Sequence, residues 1–349
     1  TTASNNTAVG SESLLSNTTG TSNVAVGFES LKTNTTANNN TAIGAYSLQV
    51  NTTGSENTAV GQSALQGNTT GANNIAVGKN TMLANTTGTR NIAIGNTAYD
   101  GSDTENDNIA IGYAAMTTNT AGGEQNIAIG NYVLDALTSG GANVAMGNNA
   151  GTAINSGVEN TLYGDRAGDS ITTGDKNVLL GANMDAAAVD TDHAIGLGHD
   201  FAVNANDFSF GKASNVVTCD FDADAAFSRS SDVRKKKNIE NSTLGLDFIN
   251  DLRPVTFEWK PNNEFPKDFS EYDEKNHMTT DVTMHGMIAQ EVKAALDTAG
   301  VDTFGGWKED TDGSQRIAQE LFVYPLIKAI QELSAKNDAL LARIETLEG

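Results

Sequence analysis

The chain has 349 residues, with 43 acidic against 21 basic side chains and a net charge of −22. This balance argues against nucleic-acid binding, because affinity for phosphate comes from lysine and arginine. The single cysteine, Cys219, excludes an intrachain disulfide framework and a cysteine-based zinc site, and no apolar run approaches the roughly 20 residues of a transmembrane helix. We therefore expect no nucleic-acid partner, no membrane insertion, no metal and no cofactor.

The first 211 residues repeat one short pattern: asparagine, any residue, alanine, an apolar residue and glycine. The NIAIG segments ending at Gly95, Gly112 and Gly130 are the clearest copies. Related segments end at Gly10, Gly27, Gly44, Gly61, Gly78 and Gly147, and weaker ones end at Gly164, Gly181, Gly196 and Gly211. The spacing is 17 residues, with one step of 18 and two final steps of 15. A fixed short period indicates a repeat architecture.

Each repeat has the composition of one coil of a β-solenoid. The NIAIG segment alternates its side chains across a short strand, and glycine and asparagine tolerate the left-handed backbone of tight turns. We expect two short strands and two turns in each coil. A single coil cannot bury its apolar face, so stacked coils would form one continuous core of small aliphatic side chains.

A second element, NTTG, recurs at residues 17–20, 51–54, 68–71 and 85–88. The Asn-Thr-Thr triplet matches the acceptor pattern for N-glycosylation, but its fixed place in each repeat favours a turn. Regular threonine rows could also form an ice-binding face. Since each coil has one Thr-Thr pair and many charged interruptions, this interpretation is the weaker one.

The repeat resembles the head of trimeric autotransporter adhesins, and similar repeats occur in phage tail fibres. The resemblance implies a left-handed parallel β-roll, assembled as a homotrimer, over residues 1–211. Residues 212–230 would then be a neck.

Residues 231–349 begin with the segment SDVRKKKNIE, in which Arg234 is followed by three lysines. Ordered motifs follow, namely Leu252-Arg253-Pro254, Phe257-Glu258-Trp259, Gly286 with Ile288-Ala289-Gln290-Glu291, and a final helix. This ordered set resembles the C-terminal intramolecular chaperone domain of endosialidases and other phage tailspikes and fibres. A solvated linker or a nucleic-acid patch would explain the basic run alone but not the motifs after it.

The resemblance implies self-cleavage between Ser230 and Ser231, with Ser231 as the nucleophile and Lys236 as the general base. A serine hydroxyl needs a neighbouring base to become a good nucleophile. A lysine serves as that base when burial or nearby cations pull its pKa towards neutrality. Lys235 and Lys237 remain alternatives as the base, and the spacing favours Lys236.

The last segment carries an apolar heptad pattern typical of a coiled coil. Its a and d positions are Val323, Leu326, Ile330, Leu333, Asn337, Leu340, Ile344 and Leu347. Isoleucine at a with leucine at d favours two strands in peptides, whereas the resemblance implies three. We therefore expect an α+β chaperone domain over residues 231–349 that ends in a trimeric coiled coil.

Other candidate sites are weaker. The Asp310-Thr311-Asp312-Gly313 segment resembles the start of a calcium loop, but Leu321 stands where the glutamate belongs, so a hairpin turn is favoured. His277 and His285 lack metal-ligand spacing, and His193 and His199 are expected to be surface residues. Asp165 and Asp169, the candidate pair for a glycosidase, are expected to be solvated.

The two resemblances together imply a segment of a phage tail fibre or related adhesin, located in the virion, whose C-terminal domain drives trimerisation and is then released by autoproteolysis. The alternative is a non-cleaving trimeric adhesin that keeps the domain as a permanent clamp. A glycan-degrading tailspike is a third class, for which no catalytic constellation is visible. A host cell-surface receptor or glycan is a further candidate partner.

Overall fold

The computed structural model describes residues 2–118, 122–222, 227–228 and 231–348. The chain divides into two compact units, Thr1–Ser231 and Asp232–Gly349. The first is a β-solenoid in which most strands are parallel, as the repeat predicted, and the second combines short strands with helices.

Each coil of the solenoid contributes a short strand to one sheet, which has 15 strands within the described residues. The strands of the first unit are β1 (Thr7–Val9), β2 (Val24–Val26), β3 (Thr41–Ile43), β4 (Thr58–Val60), β5 (Ile75–Val77), β6 (Ile92–Ile94), β7 (Ile109–Ile111), β8 (Ile127–Ile129), β9 (Val144–Met146), β10 (Thr161–Tyr163), β11 (Val178–Leu180), β12 (Met184–Ala186), β13 (Ile195–His199), β14 (Phe201–Val203), β15 (Asp207–Lys212), β16 (Asn215–Asp220) and β17 (Phe227–Ser228). From β1 to β11 each strand pairs in parallel with the next, and β13 and β15 continue the sheet.

The strands show the alternation expected from NIAIG. In β6 the central Ala93 is fully buried in the core, while Ile92 and Ile94 point outward and Ile94 is 40 % exposed. The same pattern recurs from coil to coil, so the outer face of the sheet carries two rows of largely apolar side chains.

The expectation of two strands per coil was wrong for most coils. The side of the coil that follows the glycine is a run of turns, because residues such as Leu31 (φ 50°) and Leu48 (φ 49°) adopt a left-handed backbone that no strand contains. Their amides still join neighbouring coils, since Leu31 N donates to Ser47 O at 3.1 Å and Leu48 N to Ala64 O at 3.0 Å. Within the described part of the solenoid, strands outside the 15-stranded sheet pair only between β12 and β14.

The repeated asparagine forms an internal ladder. Its members, all fully buried, are Asn23, Asn40, Asn57, Asn74, Asn91, Asn108, Asn126, Asn143, Asn160 and Asn177. Asn91 is representative: its Oδ1 accepts from Asn108 N at 2.9 Å, and its Nδ2 donates to Glu105 O at 2.7 Å. Each amide thus satisfies buried backbone groups of adjacent coils, which explains why the pattern begins with asparagine.

The NTTG element is a turn that is closed by a hydrogen bond from its buried asparagine side chain. Asn51 is fully buried and its Nδ2 donates to Gly54 O at 2.9 Å and to Asn34 Oδ1 at 3.0 Å. A buried amide that makes these bonds is inaccessible to a glycosylating enzyme, so the geometry agrees with the turn interpretation.

The register of the last coils corrects the sequence assignment. Leu180 pairs with Leu197, which places Gly198 (φ +142°), not Gly196, in the row of repeat glycines. Gly196 instead pairs with Leu179, in the inward row that alanine usually fills, and the Met184 and Val203 side chains occupy the space beside it. The spacing between successive repeat glycines therefore does not shorten up to Gly198, and only the step from Gly198 to Gly211 is shorter.

The C-terminal end of the solenoid changes direction. Strand β16 pairs antiparallel with β15, and the two-residue β17 pairs antiparallel with β16. Phe208 and Phe210 continue the outward rows of the sheet, and both rings pack against Phe227 with centroids 6.2 and 5.8 Å away. This hairpin ends the parallel stack.

The second unit is small and has its own core. Its elements are a 3₁₀ helix (Val233–Lys235), α1 (Leu246–Asp251), β18 (Val255–Phe257), a 3₁₀ helix (Asn262–Glu264), β19 (Met284–Gly286), α2 (Ala289–Thr298), β20 (Trp307–Glu309), β21 (Gln315–Ile317), a 3₁₀ helix (Gln319–Phe322) and α3 (Val323–Glu348). Phe248 of α1 stacks on Phe322, and both pack with Val292 and Leu296 of α2.

Strands β20 and β21 form an antiparallel hairpin, so Asp310–Gly313 is its turn, as predicted.

Three aspartates of the solenoid that are about two repeats apart in the sequence are each partly buried: Asp100, Asp135 and Asp169. Burial raises the pKa of each, and the neighbouring Asp185 carboxylate raises that of Asp169 further. Asp169 is therefore only partly exposed, in contrast to the solvated position expected, whereas Asp165 is exposed.

The raised pKa values predict a stability that falls as pH rises. The folded state binds the Asp135 proton more tightly than the unfolded state, so the stabilisation is complete below about pH 4 and lost as pH rises through the folded pKa. We expect Asp135→Asn to raise the thermal midpoint by about 1–3 °C at pH 7.5 and by less at pH 3.5, with exposed Asp165→Asn as the matched control. Circular dichroism melts at the two pH values check this, and an equal gain at both would contradict it.

Candidate functional site

The basic run lies in one turn followed by extended chain. Asp232 precedes the 3₁₀ helix Val233–Lys235, and its carboxylate accepts from Arg234 N at 2.8 Å, which caps the turn. Lys235 N donates to Asp232 O at 3.0 Å and Lys236 N to Val233 O at 3.1 Å. Lys236 then leaves the turn with φ −117° and ψ 148°, an extended conformation.

The charges within this segment pair locally. The Arg234 guanidinium donates to Asp232, with Nε 3.0 Å from Oδ1 and Nη2 2.5 Å from Oδ2. Hydrogen bonds from the Arg234 side chain, and then from its backbone, lower the pKa of Asp232 to about 2. The carboxylate is therefore ionised at every pH at which a lysine could act as a base.

The segment is open to solvent in the single chain. Residues from Val233 to Glu240 are exposed, including the apolar Val233 at 65 % and Ile239 at 62 %. Large apolar side chains therefore flank the four cations on both sides along the chain.

The predicted site residues stand at the boundary of the two units. Ser231, which is exposed, is the last residue of the first unit, and Lys236 is exposed in the second. Ser230 lies outside the described residues. The Ser231–Lys236 dyad and the cleavage site therefore remain predictions from the sequence.

Two of the motifs that follow the basic run meet in the second unit. Arg253, which follows the C-cap of α1, pairs with Glu291 in the first turn of α2, with Arg253 Nε 3.0 Å from Glu291 Oε2. This contact lowers the pKa of Glu291. The Leu-Arg-Pro and Ile-Ala-Gln-Glu motifs are thus joined in space, although 38 residues separate the paired side chains.

Sequence reasoning missed a groove beside Trp259. This cavity of about 560 Å³ is lined by Phe257, Trp259, Ile288, Gln290 and Ile317, among others. Trp259 is 45 % exposed and packs edge-on against Phe257 at 5.3 Å. The walls of the groove come from segments that are far apart in the chain. The Phe-Glu-Trp motif was the only feature of the local sequence that pointed to it.

The C-terminal helix presents its heptad positions to solvent. Helix α3 is 26 residues long, and Ile330 and Leu333 are 66 % and 56 % exposed. Leu340, Ile344 and Leu347 are exposed by 49 % or more. No element within the described residues covers this apolar face.

The described residues contain neither a membrane-spanning helix nor a metal-binding cluster. None of their helices has the length and apolar character needed to cross a membrane. No cluster of three or more histidine, cysteine, aspartate or glutamate side chains among them has the arrangement of a metal site.

Comparison with known families gives one match. Residues 231–301 match the model of a peptidase family described as the chaperone of endosialidase. Neither curated proteins nor solved structures give a significant match. The match confirms the resemblance predicted for the C-terminal part, and it begins at Ser231 itself.

Proposed function

We propose that residues 231–349 are an intramolecular chaperone that assembles three copies of the solenoid and then releases itself by cutting between Ser230 and Ser231. The solenoid would be a segment of a phage tail fibre or related adhesin in the virion. The observation that carries this proposal is the family match, whose first residue is the predicted nucleophile and falls where the first compact unit ends.

The proposed chemistry balances within the chain and one water molecule. The Ser231 hydroxyl attacks the carbonyl carbon of Ser230 while Lys236 accepts the hydroxyl proton. The C–N bond breaks, the proton passes to the leaving amine of Ser231, and an ester remains. Water then hydrolyses the ester, which leaves a carboxylate on Ser230 and a free amino terminus on Ser231.

Exposure of Lys236 supports a cut that follows assembly. A lysine becomes a base near neutral pH only when burial or neighbouring cations disfavour its charged form. Lys235 and Lys237 supply the cations, because the charge of Arg234 is paired with Asp232, but Lys236 is exposed in the single chain. Covering Val233 and Ile239 with partner chains would supply the burial, so the reaction would wait for association.

Two apolar surfaces support association between copies of this chain. The outward rows of the sheet repeat once per coil, so a partner that contacts them along the solenoid must repeat with the same distance between coils. Another copy of the solenoid has that distance because it has the same coils. The exposed face of α3 would bring the copies together first, because a terminal clamp raises the effective concentration of the three solenoids.

Release would make the product kinetically trapped. Parallel pairing over many coils is slow and exposed to misassembly, so a nucleating clamp speeds it. Once the clamp leaves, the unfolded solenoid has lost its nucleus and does not regain it. A host receptor or glycan bound by the solenoid stays a prediction.

The test combines intact mass with oligomeric state. We expect wild-type protein to form a trimer and yield a fragment that begins at Ser231. Ile330→Asp with Leu333→Asp places charges on the apolar face of α3 and should give monomers whose cleavage is at least about 10-fold slower. The control, Gln331→Asp with Ala335→Asp, adds the same charge to the opposite face and should behave as wild type.

Two outcomes would contradict the proposal. Monomers of the Ile330/Leu333 variant that cut as fast as wild type would remove the link between assembly and cleavage. A wild-type trimer that stays full-length would leave the alternative, a permanent clamp.

A further inference from the structure

Asp232 differs from the rest of the exposed segment. It is half-buried, whereas the residues from Val233 to Glu240 are exposed. Its carboxylate accepts from Arg234 N at 2.8 Å and from the Arg234 guanidinium, with Nε at 3.0 Å and Nη2 at 2.5 Å. One side chain therefore caps the turn and also holds the neighbouring cation.

The turn determines where Lys236 stands. A 3₁₀ helix advances about 2 Å per residue and an extended chain about 3.3 Å. The capped turn therefore holds the Lys236 backbone several ångström nearer to Asp232 than extended chain would. Because Lys236 N is itself bonded to Val233 O, the point at which the chain becomes extended is fixed by the same turn.

We propose that Asp232 is a positioning residue for self-cleavage, and that its cap on the backbone N–H of Arg234 holds the turn that presents Lys236. This inference rests on the proposed function. Neither Asp232 nor Arg234 takes part in proton transfer: Asp232 is too weak a base, because its pKa is lowered to about 2, and a guanidinium stays protonated.

The first experiment separates the cap from the ion pair. Asp232→Asn keeps an oxygen that can accept from Arg234 N, whereas Asp232→Ala removes it. We expect Asp232→Ala to slow cleavage of the assembled trimer about 5- to 10-fold, the effect of a lost cap. Asp232→Asn and Arg234→Ala should slow it by no more than about 3-fold, because an exposed ion pair contributes little.

The second experiment asks whether Asp232 acts by position or by charge. Asp232→Ala combined with Arg234→Ala should cut no more slowly than Asp232→Ala alone, because Asp232→Ala already removes both the cap and the ion pair. The pH–rate profile of Asp232→Ala should keep the wild-type midpoint with a lower plateau. A shifted midpoint would overturn the inference, since it would show that Asp232 tunes the charge of the base.

The third experiment keeps this inference separate from the proposed function. Each variant is also made with Ser231→Ala, and the trimer fraction of the uncut chain is measured. Wild type that stays full-length would overturn the proposed function. Wild type that is cut, with Asp232→Ala cut equally fast, would overturn only the positioning role. A trimer fraction that falls in step with cleavage would also overturn it, because the contact would then serve folding.

Discussion

Replacing Ser231 with alanine is expected to abolish release of the C-terminal fragment and leave a full-length trimer. Removal of a nucleophile or its base typically slows such reactions by about 10⁴-fold or more. Lys236→Ala should have an effect of similar size, because the serine hydroxyl then has no base. Intact mass spectrometry over several days, on purified trimers of each variant, measures both rates against wild type.

The lysines beside the proposed base provide matched controls. Lys235→Ala and Lys237→Ala each remove one exposed cation from the same run and should keep cleavage within about 10-fold of wild type. A rate lost in Lys235→Ala but kept in Lys236→Ala would move the base by one residue. Cleavage that survives in Ser231→Ala would refute the serine mechanism.

Replacing Gly95 with alanine is expected to be among the most destabilising single changes in the solenoid. A Cβ at this position would lie 2.1 Å from the carbonyl oxygen of Gly112 in the next coil, and the backbone has φ +142°, a region that side chains rarely adopt. The Gly112 carbonyl is part of the backbone of the next coil, so it cannot move away from the added Cβ without separating the coils. The φ of Gly95 is likewise fixed by the stacking of its own coil. We expect a loss of at least about 3 kcal/mol in the free energy of unfolding.

Gly122 is the matched control in the same unit. It also has positive φ, +96°, but a Cβ there would meet nothing within 4 Å, so Gly122→Ala should cost about 1 kcal/mol. Denaturant unfolding measures both changes, and hydrogen exchange should localise the Gly95→Ala effect to the neighbouring coils. Equal costs for the two variants would show that coil-to-coil contact is not what requires glycine.

The solenoid could be predicted because stacked coils of equal length require a regular repeat in the amino-acid sequence. The single strand per coil was not predicted, since Leu31 and Leu48 are residues that normally avoid positive φ and adopt it here through bonds to the next coil. Gly196 was misassigned because the segment IGLG offers two glycines two residues apart, and only pairing with Leu179 and Leu180 distinguishes them.

The candidate site also contains residues that the sequence predicted and contacts that only the structure shows. Ser231 and Lys236 came from a resemblance carried by ordered motifs. The Asp232 contacts with Arg234 depend on one turn and were not anticipated, although an aspartate before a short helix is a common cap. The groove at Trp259 unites residues from distant parts of the second unit, such as Gln290 and Ile317, and local patterns do not contain that information.

The antiparallel hairpin at the end of the solenoid has a consequence for polymerisation. A parallel stack with an open edge is a template onto which coils of another molecule can add without limit. Here the edge of β15 is occupied by β16, which runs antiparallel to it and pairs in turn with β17. A coil of another molecule therefore meets no parallel strand edge at this end of the described solenoid. Solenoids that meet there would stay separate particles and not join into fibrils.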